Sequence, residues 1–200
     1  MINCEYFEID KRKIEINDKE LSARLGRVCS HKDEELFRVC ETLMQCAEPR
    51  CAVRRSAVSR SEGGEVELEF ARISSSALSK NLGRASEAFV VAVTLGAEVD
   101  RMISKLSAIS PAEAFIFDAV ASAVAEAATD TLEREICKGY ITSPRFSPGY
   151  GDFSISHQGA LLDFLGAPIY LGVTLGESGL MSPTKTVTAV IGIKGKADSE

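Results

Sequence analysis

Arg145-Phe146-Ser147-Pro148-Gly149-Tyr150 sets a guanidinium, a Pro-Gly turn and an aromatic hydroxyl within six residues, a run suited to neither a regular helix nor a strand. Proline fixes φ and has no N–H to donate, and glycine accepts positive φ. Two readings follow. One is a plain surface turn, because Pro-Gly turns are common. The other is a small-molecule loop, in which backbone N–H and C=O groups are exposed toward whatever Arg145 and Tyr150 face.

Upstream of this run the pattern predicts a long helix from about Pro111 to Cys137. Ser110 caps it, Pro111 suits the first helical position, Glu113 completes the capping-box spacing, and Gly139 is placed to end it. Eight alanines between Ala112 and Ala128 favour helix and leave little side-chain bulk, so a neighbouring backbone or a ligand can approach closely. Glu126 shares a stripe with Ser122, Thr129, Asp130 and Glu133 at helical spacing. From the residues alone this is either an exposed polar face or one wall of a binding site.

Further out, Asp33 to Ala47 carries Leu36, Phe37, Cys40, Leu43 and Met44 at a helical period that Pro49 closes. Val66, Leu68 and Phe70 alternate with Glu65, Glu67 and Glu69, the pattern of a half-exposed strand with a solvated acidic face. Phe89-Val90-Val91-Ala92-Val93 is apolar throughout, as in a strand covered on both sides, and leads into a helix bearing Val99, Met102, Ile103 and Leu106. Ile169 to Val173 and Val187 to Ile193 read as later strands. Val93-Thr94-Leu95-Gly96 recurs as Val173-Thr174-Leu175-Gly176, which we read as two similar strand ends, each opened by a glycine. Strands and helices in this irregular order predict an α+β fold, an antiparallel or mixed twisted sheet with flanking helices, in a single domain over residues 1–200.

A chain of 200 residues with 45% apolar content can bury a substantial core. The net charge of −6, with both signs interspersed, argues against a nucleic-acid partner. No hydrophobic run has the length of a membrane span and the N-terminus has no signal-peptide pattern, so a cytoplasmic location is expected. The six cysteines, Cys4, Cys29, Cys40, Cys46, Cys51 and Cys137, form no C-x-x-C pair, and His31 and His157 lie far apart. Free thiols are expected and no metal site.

The Arg145 to Tyr150 run, together with Ala125-Glu126-Ala127, Leu175-Gly176-Glu177-Ser178 and Met181-Ser182-Pro183, resembles the S-adenosylmethionine-binding activation domain of cobalamin-dependent methionine synthase. The order of the pieces matches over about the C-terminal half. Tyr150-Gly151-Asp152 and Pro183-Thr184-Lys185-Thr186-Val187 are more similar still to stand-alone, single-domain relatives.

The resemblance implies S-adenosylmethionine as cofactor, with Glu126, Arg145, Ser147, Gly149 and Tyr150 as binding residues and no catalytic acid or base. Arg145 suits the ligand's carboxylate, Glu126 its cationic or ribose part, Ser147 contributes through its backbone, and Tyr150 flanks the cofactor. It further implies reductive methylation of cob(II)alamin on a methionine synthase core, with an electron donor such as flavodoxin or ferredoxin. The cobalamin has to arrive on a partner. The D-x-H-x-x-G cobalt-ligand pattern is absent, Ile155 standing where His157 would need an aspartate before it. A strand-linked G-x-G-x-x-G is absent as well.

The chain departs from the family's pattern in lacking its early ligand-binding aspartate and its late tyrosine, the latter position falling near Ile191. The alternatives are a non-catalytic binding module for a corrinoid protein, and an activator of a different corrinoid methyltransferase.

Overall fold

The computed structural model describes residues 4–26, 34–61 and 65–197. Its elements are β1 (Glu5–Glu8), α1 (Asp18–Leu25), α2 (Glu34–Cys46), β2 (Arg50–Arg60), β3 (Val66–Leu68), β4 (Ala71–Ile73), α3 (Ser76–Leu82), β5 (Glu87–Thr94), α4 (Ala97–Ile109) and α5 (Pro111–Ile136). There follow β6 (Tyr140–Thr142), α6 (Gln158–Phe164), α7 (Ala167–Tyr170), β7 (Thr174–Leu175), β8 (Met181–Ser182) and β9 (Thr186–Lys196). Asp33, Cys29 and His31 lie outside the described residues.

One seven-stranded sheet has the order β4-β3-β2-β5-β9-β6, with β1 on the same edge of β2 as β3, and β7 and β8 make a separate hairpin. Every pairing among the described strands is antiparallel. The α+β expectation holds for this reason. Helices gather on the two faces instead of alternating with parallel strands.

The apolar run in β5 is at the centre, between β2 and β9. Side chains alternate across a strand, so Phe89, Val91 and Val93 join α1, α2, α4 and α5 in one core, while Ala88, Val90 and Ala92 join α3, α6 and α7 in the other. Each valine buried there contributes about 1.5–3 kcal/mol. β9 repeats the division: Ala189 and Ile191 face the α5 layer, and Val190 faces the α6 layer.

α5 is capped as its sequence predicts, with Ser110 Oγ accepting from the Glu113 N–H at 3.4 Å. Ala121, Ala123, Ala125 and Ala128 are buried in the core, where their small side chains let the helix lie close to the sheet.

Two local expectations differ from the structure. Ile169 to Val173 is not a strand. Gly166 takes a left-handed φ of 61°, Pro168 sits in the first turn that follows, and Ala167–Tyr170 is a short helix. Ile169 and Tyr170 are exposed while Leu171 and Val173 are buried, so an apolar run that looked continuous splits between surface and core. Phe70 is not in a strand either; it lies in the tight turn that joins β3 to β4.

Candidate functional site

The segment after β6 keeps running along β9 without regular ladder bonds. The Ser143 N–H donates to Gly192 O at 2.8 Å, and Phe146 and Val190 exchange both backbone bonds at 2.9 Å. A strand-like path puts neighbouring side chains on opposite faces. Phe146 therefore packs into the α6 layer, and Arg145 turns the other way, onto α5.

There Arg145 meets the polar stripe read from the sequence. Its Nη2 donates to Glu126 Oε2 at 2.9 Å, and its Nη1 donates to Glu133 Oε2 at 3.0 Å and to Asp130 Oδ1. The Arg145 side chain is 27% exposed. Burial works against its charge, but Asp130, Glu133 and Glu126 outweigh this and hold its pKa above the ordinary value.

The stripe continues one turn in the N-terminal direction. Lys185 Nζ donates to Asp118 at 2.8 Å and to Ser122 at 2.9 Å. Two motif cations, forty residues apart, thus dock on successive turns of one helix.

The Pro-Gly turn is anchored on both sides. Gly149 has φ of +96°, and its N–H donates to Phe153 O at 2.7 Å. The Tyr150 N–H donates to Ser147 O at 3.1 Å, and the Ser147 hydroxyl donates to Thr188 O at 2.6 Å. Phe153 is buried. The Asp152 carboxylate accepts from Ser76 N at 2.8 Å, Ser76 Oγ at 2.7 Å, Ala77 N at 3.0 Å and the Ser75 hydroxyl, so it caps α3. These contacts hold Asp152's carboxyl well below its usual range, the Ser75 hydroxyl first. Tyr150 stands at the apex, 62% exposed.

With its two cores on either side of one antiparallel sheet and α5 laid across β5 and β9, the chain superposes on a solved structure described as the MetH reactivation domain bound to AdoHcy. The TM-score is 0.73 at 16% identity, covering 100% of this chain and 81% of that one. The chain has the fold of the MetH reactivation domain. No protein-family model matches the chain, and no curated protein matches it by sequence.

Within this reactivation-domain fold the residues singled out in the sequence separate into two places. Arg145 and Glu126 are in direct contact on the α5 side of β9. Gly149 and Tyr150 belong to the loop beyond, beside an apolar cleft of about 200 Å³ lined by Ile155, Gln158, Gly179, Leu180, Met181 and Thr184. A Cβ on Gly149 would sit 3.5 Å from Ile155 Cδ1, so turn and cleft adjoin. Ser147 links the two places, because Thr188 accepts its hydroxyl through the carbonyl and also bonds Gln158 Nε2 at 2.9 Å through Oγ1.

Gln158, Asp130, Glu133 and Asp152 were not among the sequence candidates. Asp130 and Glu133 were visible on the Glu126 stripe; nothing in the sequence pointed to Gln158. Ile191, near which the family's late tyrosine falls, is buried in the sheet core.

Proposed function

We propose that this protein binds S-adenosylmethionine where the Arg145 loop crosses α5, and uses it in the reductive methylation of cob(II)alamin carried by a cobalamin-dependent methionine synthase. The reading rests on one observation above all. Arg145 and Glu126 pair at 2.9 Å in a chain whose whole length superposes on a reactivation domain bound to AdoHcy.

The donor set fits such a ligand. A guanidinium recognises the carboxylate, the Glu126 carboxylate suits the cationic or ribose part, and an apolar cleft beside an exposed tyrosine can take a ring. Held by Arg145 and Glu126, S-adenosylmethionine would supply the methyl group to the reduced corrinoid of the partner, the methyl–sulfur bond breaking to leave S-adenosylhomocysteine.

Consumption of the reduced corrinoid draws forward an unfavourable one-electron step, each 59 mV of which costs about a factor of ten in equilibrium. The electron comes from a donor such as flavodoxin or ferredoxin. The chain's own residues bind, orient and shield: Arg145 and Glu126 fix the amino-acid end, and the anchored 146–153 loop holds Tyr150 in place.

The test mixes the protein with a cob(II)alamin-loaded methionine synthase core, a low-potential reductant and S-adenosylmethionine. The methylcobalamin spectrum is expected to appear, and Arg145→Ala to slow it strongly. Formation at the same rate without the protein refutes the reading; formation only with another corrinoid protein changes the partner. A second reading, a docking module without methyl transfer, is favoured by the exposed Tyr150, Ile155 and Leu180 around the cleft. Such a module would form a complex with the corrinoid protein and bind no S-adenosylmethionine.

A further inference from the structure

Arginine carries five N–H donors in a rigid plane. Arg145 gives Nη1 to Asp130 and Glu133 and one Nη2 hydrogen to Glu126. Among the described residues no group accepts from its Nε–H or from the second Nη2–H. Nε and Nη2 form the side-on edge of the guanidinium, away from Nη1, where Nε–H has no acceptor among the described residues and Nη2 has one hydrogen beyond its bond to Glu126, donors that suit a carboxylate.

The three acids stand at 126, 130 and 133, one face of a rigid helix. The backbone that carries Arg145 is pinned next door by the paired bonds of Phe146 and Val190. A long side chain that would otherwise sample many rotamers is thus held from both ends.

We infer that Asp130 and Glu133 are positioning residues: by gripping Nη1 they present the Nε/Nη2 edge of Arg145 to the carboxylate of an amino-acid-bearing ligand. This rests on the S-adenosylmethionine reading and adds two residues to it. They act through Arg145 and touch no reacting atom. Their substitution therefore weakens ligands that carry the carboxylate and spares those that do not.

The experiment compares S-adenosylhomocysteine with 5′-methylthioadenosine, two ligands without net charge that share the nucleoside thioether and differ in the amino-acid carboxylate and ammonium. Isothermal titration is run on the full chain as wild type, Asp130→Asn with Glu133→Gln, Arg145→Ala, and all three substitutions together. The paired substitution is expected to lower S-adenosylhomocysteine affinity about tenfold, as loss of charge-assisted positioning does, and to leave methylthioadenosine within about twofold.

In the Arg145→Ala background the same pair is expected to change nothing further, since the acids then have no guanidinium to hold. An unchanged or tighter S-adenosylhomocysteine, an equal loss for both ligands, or a loss that persists without Arg145 overturns the inference. The last of these would mean the acids bind the ligand's ammonium directly. Binding of neither ligand by the wild type overturns the S-adenosylmethionine reading, and this inference with it.

Discussion

Arg145 and Glu126 lie 19 residues apart in the chain and 2.9 Å apart in space, joined because the segment that runs along the edge of β9 lies against the middle of α5. The contact is one of three that Arg145 makes to α5, so the guanidinium is surrounded by more negative charge than it neutralises. Three carboxylates against one guanidinium leave two formal negative charges.

That surplus predicts a ligand preference. S-adenosylmethionine carries one net positive charge through its sulfonium, and S-adenosylhomocysteine carries none. Two charges about 8 Å away in water contribute on the order of 1 kcal/mol, roughly fivefold in affinity. S-adenosylmethionine is expected to bind more tightly by about that factor in low salt, and the ratio to shrink toward one at about 1 M salt, where the screening length falls to about 3 Å. Titration of both ligands across ionic strength checks this; a ratio indifferent to salt would argue against the surplus charge.

The Pro-Gly turn separates conformation from contact. Gly149 has φ of +96°, and an added Cβ would meet only Ile155 Cδ1 at an ordinary 3.5 Å, so the obstacle to a side chain is the backbone itself. Gly149→Val is expected to cost about 1–3 kcal/mol in urea unfolding. Tyr150→Phe is expected to leave stability unchanged, because the hydroxyl has no partner among the described residues. Equal stability of the two variants would remove the strain argument.

Asp152 makes stability depend on acid pH. Its folded pKa is depressed below the ordinary 3.8 by the Ser75 and Ser76 hydroxyls and the Ser76 and Ala77 amides, so its contribution is full above 3.8 and is lost as pH falls below that value. Asp10, held at about 2 by Arg12, contributes in the same window. Melting temperatures of wild type and Asp152→Asn, measured from about pH 5 to pH 2, are expected to converge as the pH drops. A gap that stays constant over this range would show that the carboxylate is not titrating.

Cys51 offers a chemical check on the core. Burial pushes its thiol up to about 12, and the thiolate is the reactive form. At neutral pH Cys51 is expected to resist a disulfide reagent in the folded protein and to react in denaturant, as read by mass spectrometry of the labelled peptide. Rapid labelling in the native state would place it outside the core.

The sequence by itself determined what local periodicity and chemistry encode. The capped α5, the doubly buried β5 and the late strand β9 were legible because alternation and helical spacing repeat over many residues. The run around Gly149 was legible because proline fixes the φ of one central residue of such a turn and glycine accepts the positive φ of the other.

Where the pattern was short, at 169–173, apolar character could not tell a strand from a helical turn with two residues facing water. Only the tertiary structure decided which polar groups meet. The Glu126 stripe, read as a solvated face or a binding wall, became the seat of Arg145 and Lys185 once β9 crossed α5. Asp152, two residues past the turn, found its partners on α3, 75 to 77 residues earlier. Such contacts follow from strand order and from the packing of helices on a sheet. These are properties of the whole chain, and no window of sequence around a single motif carries them.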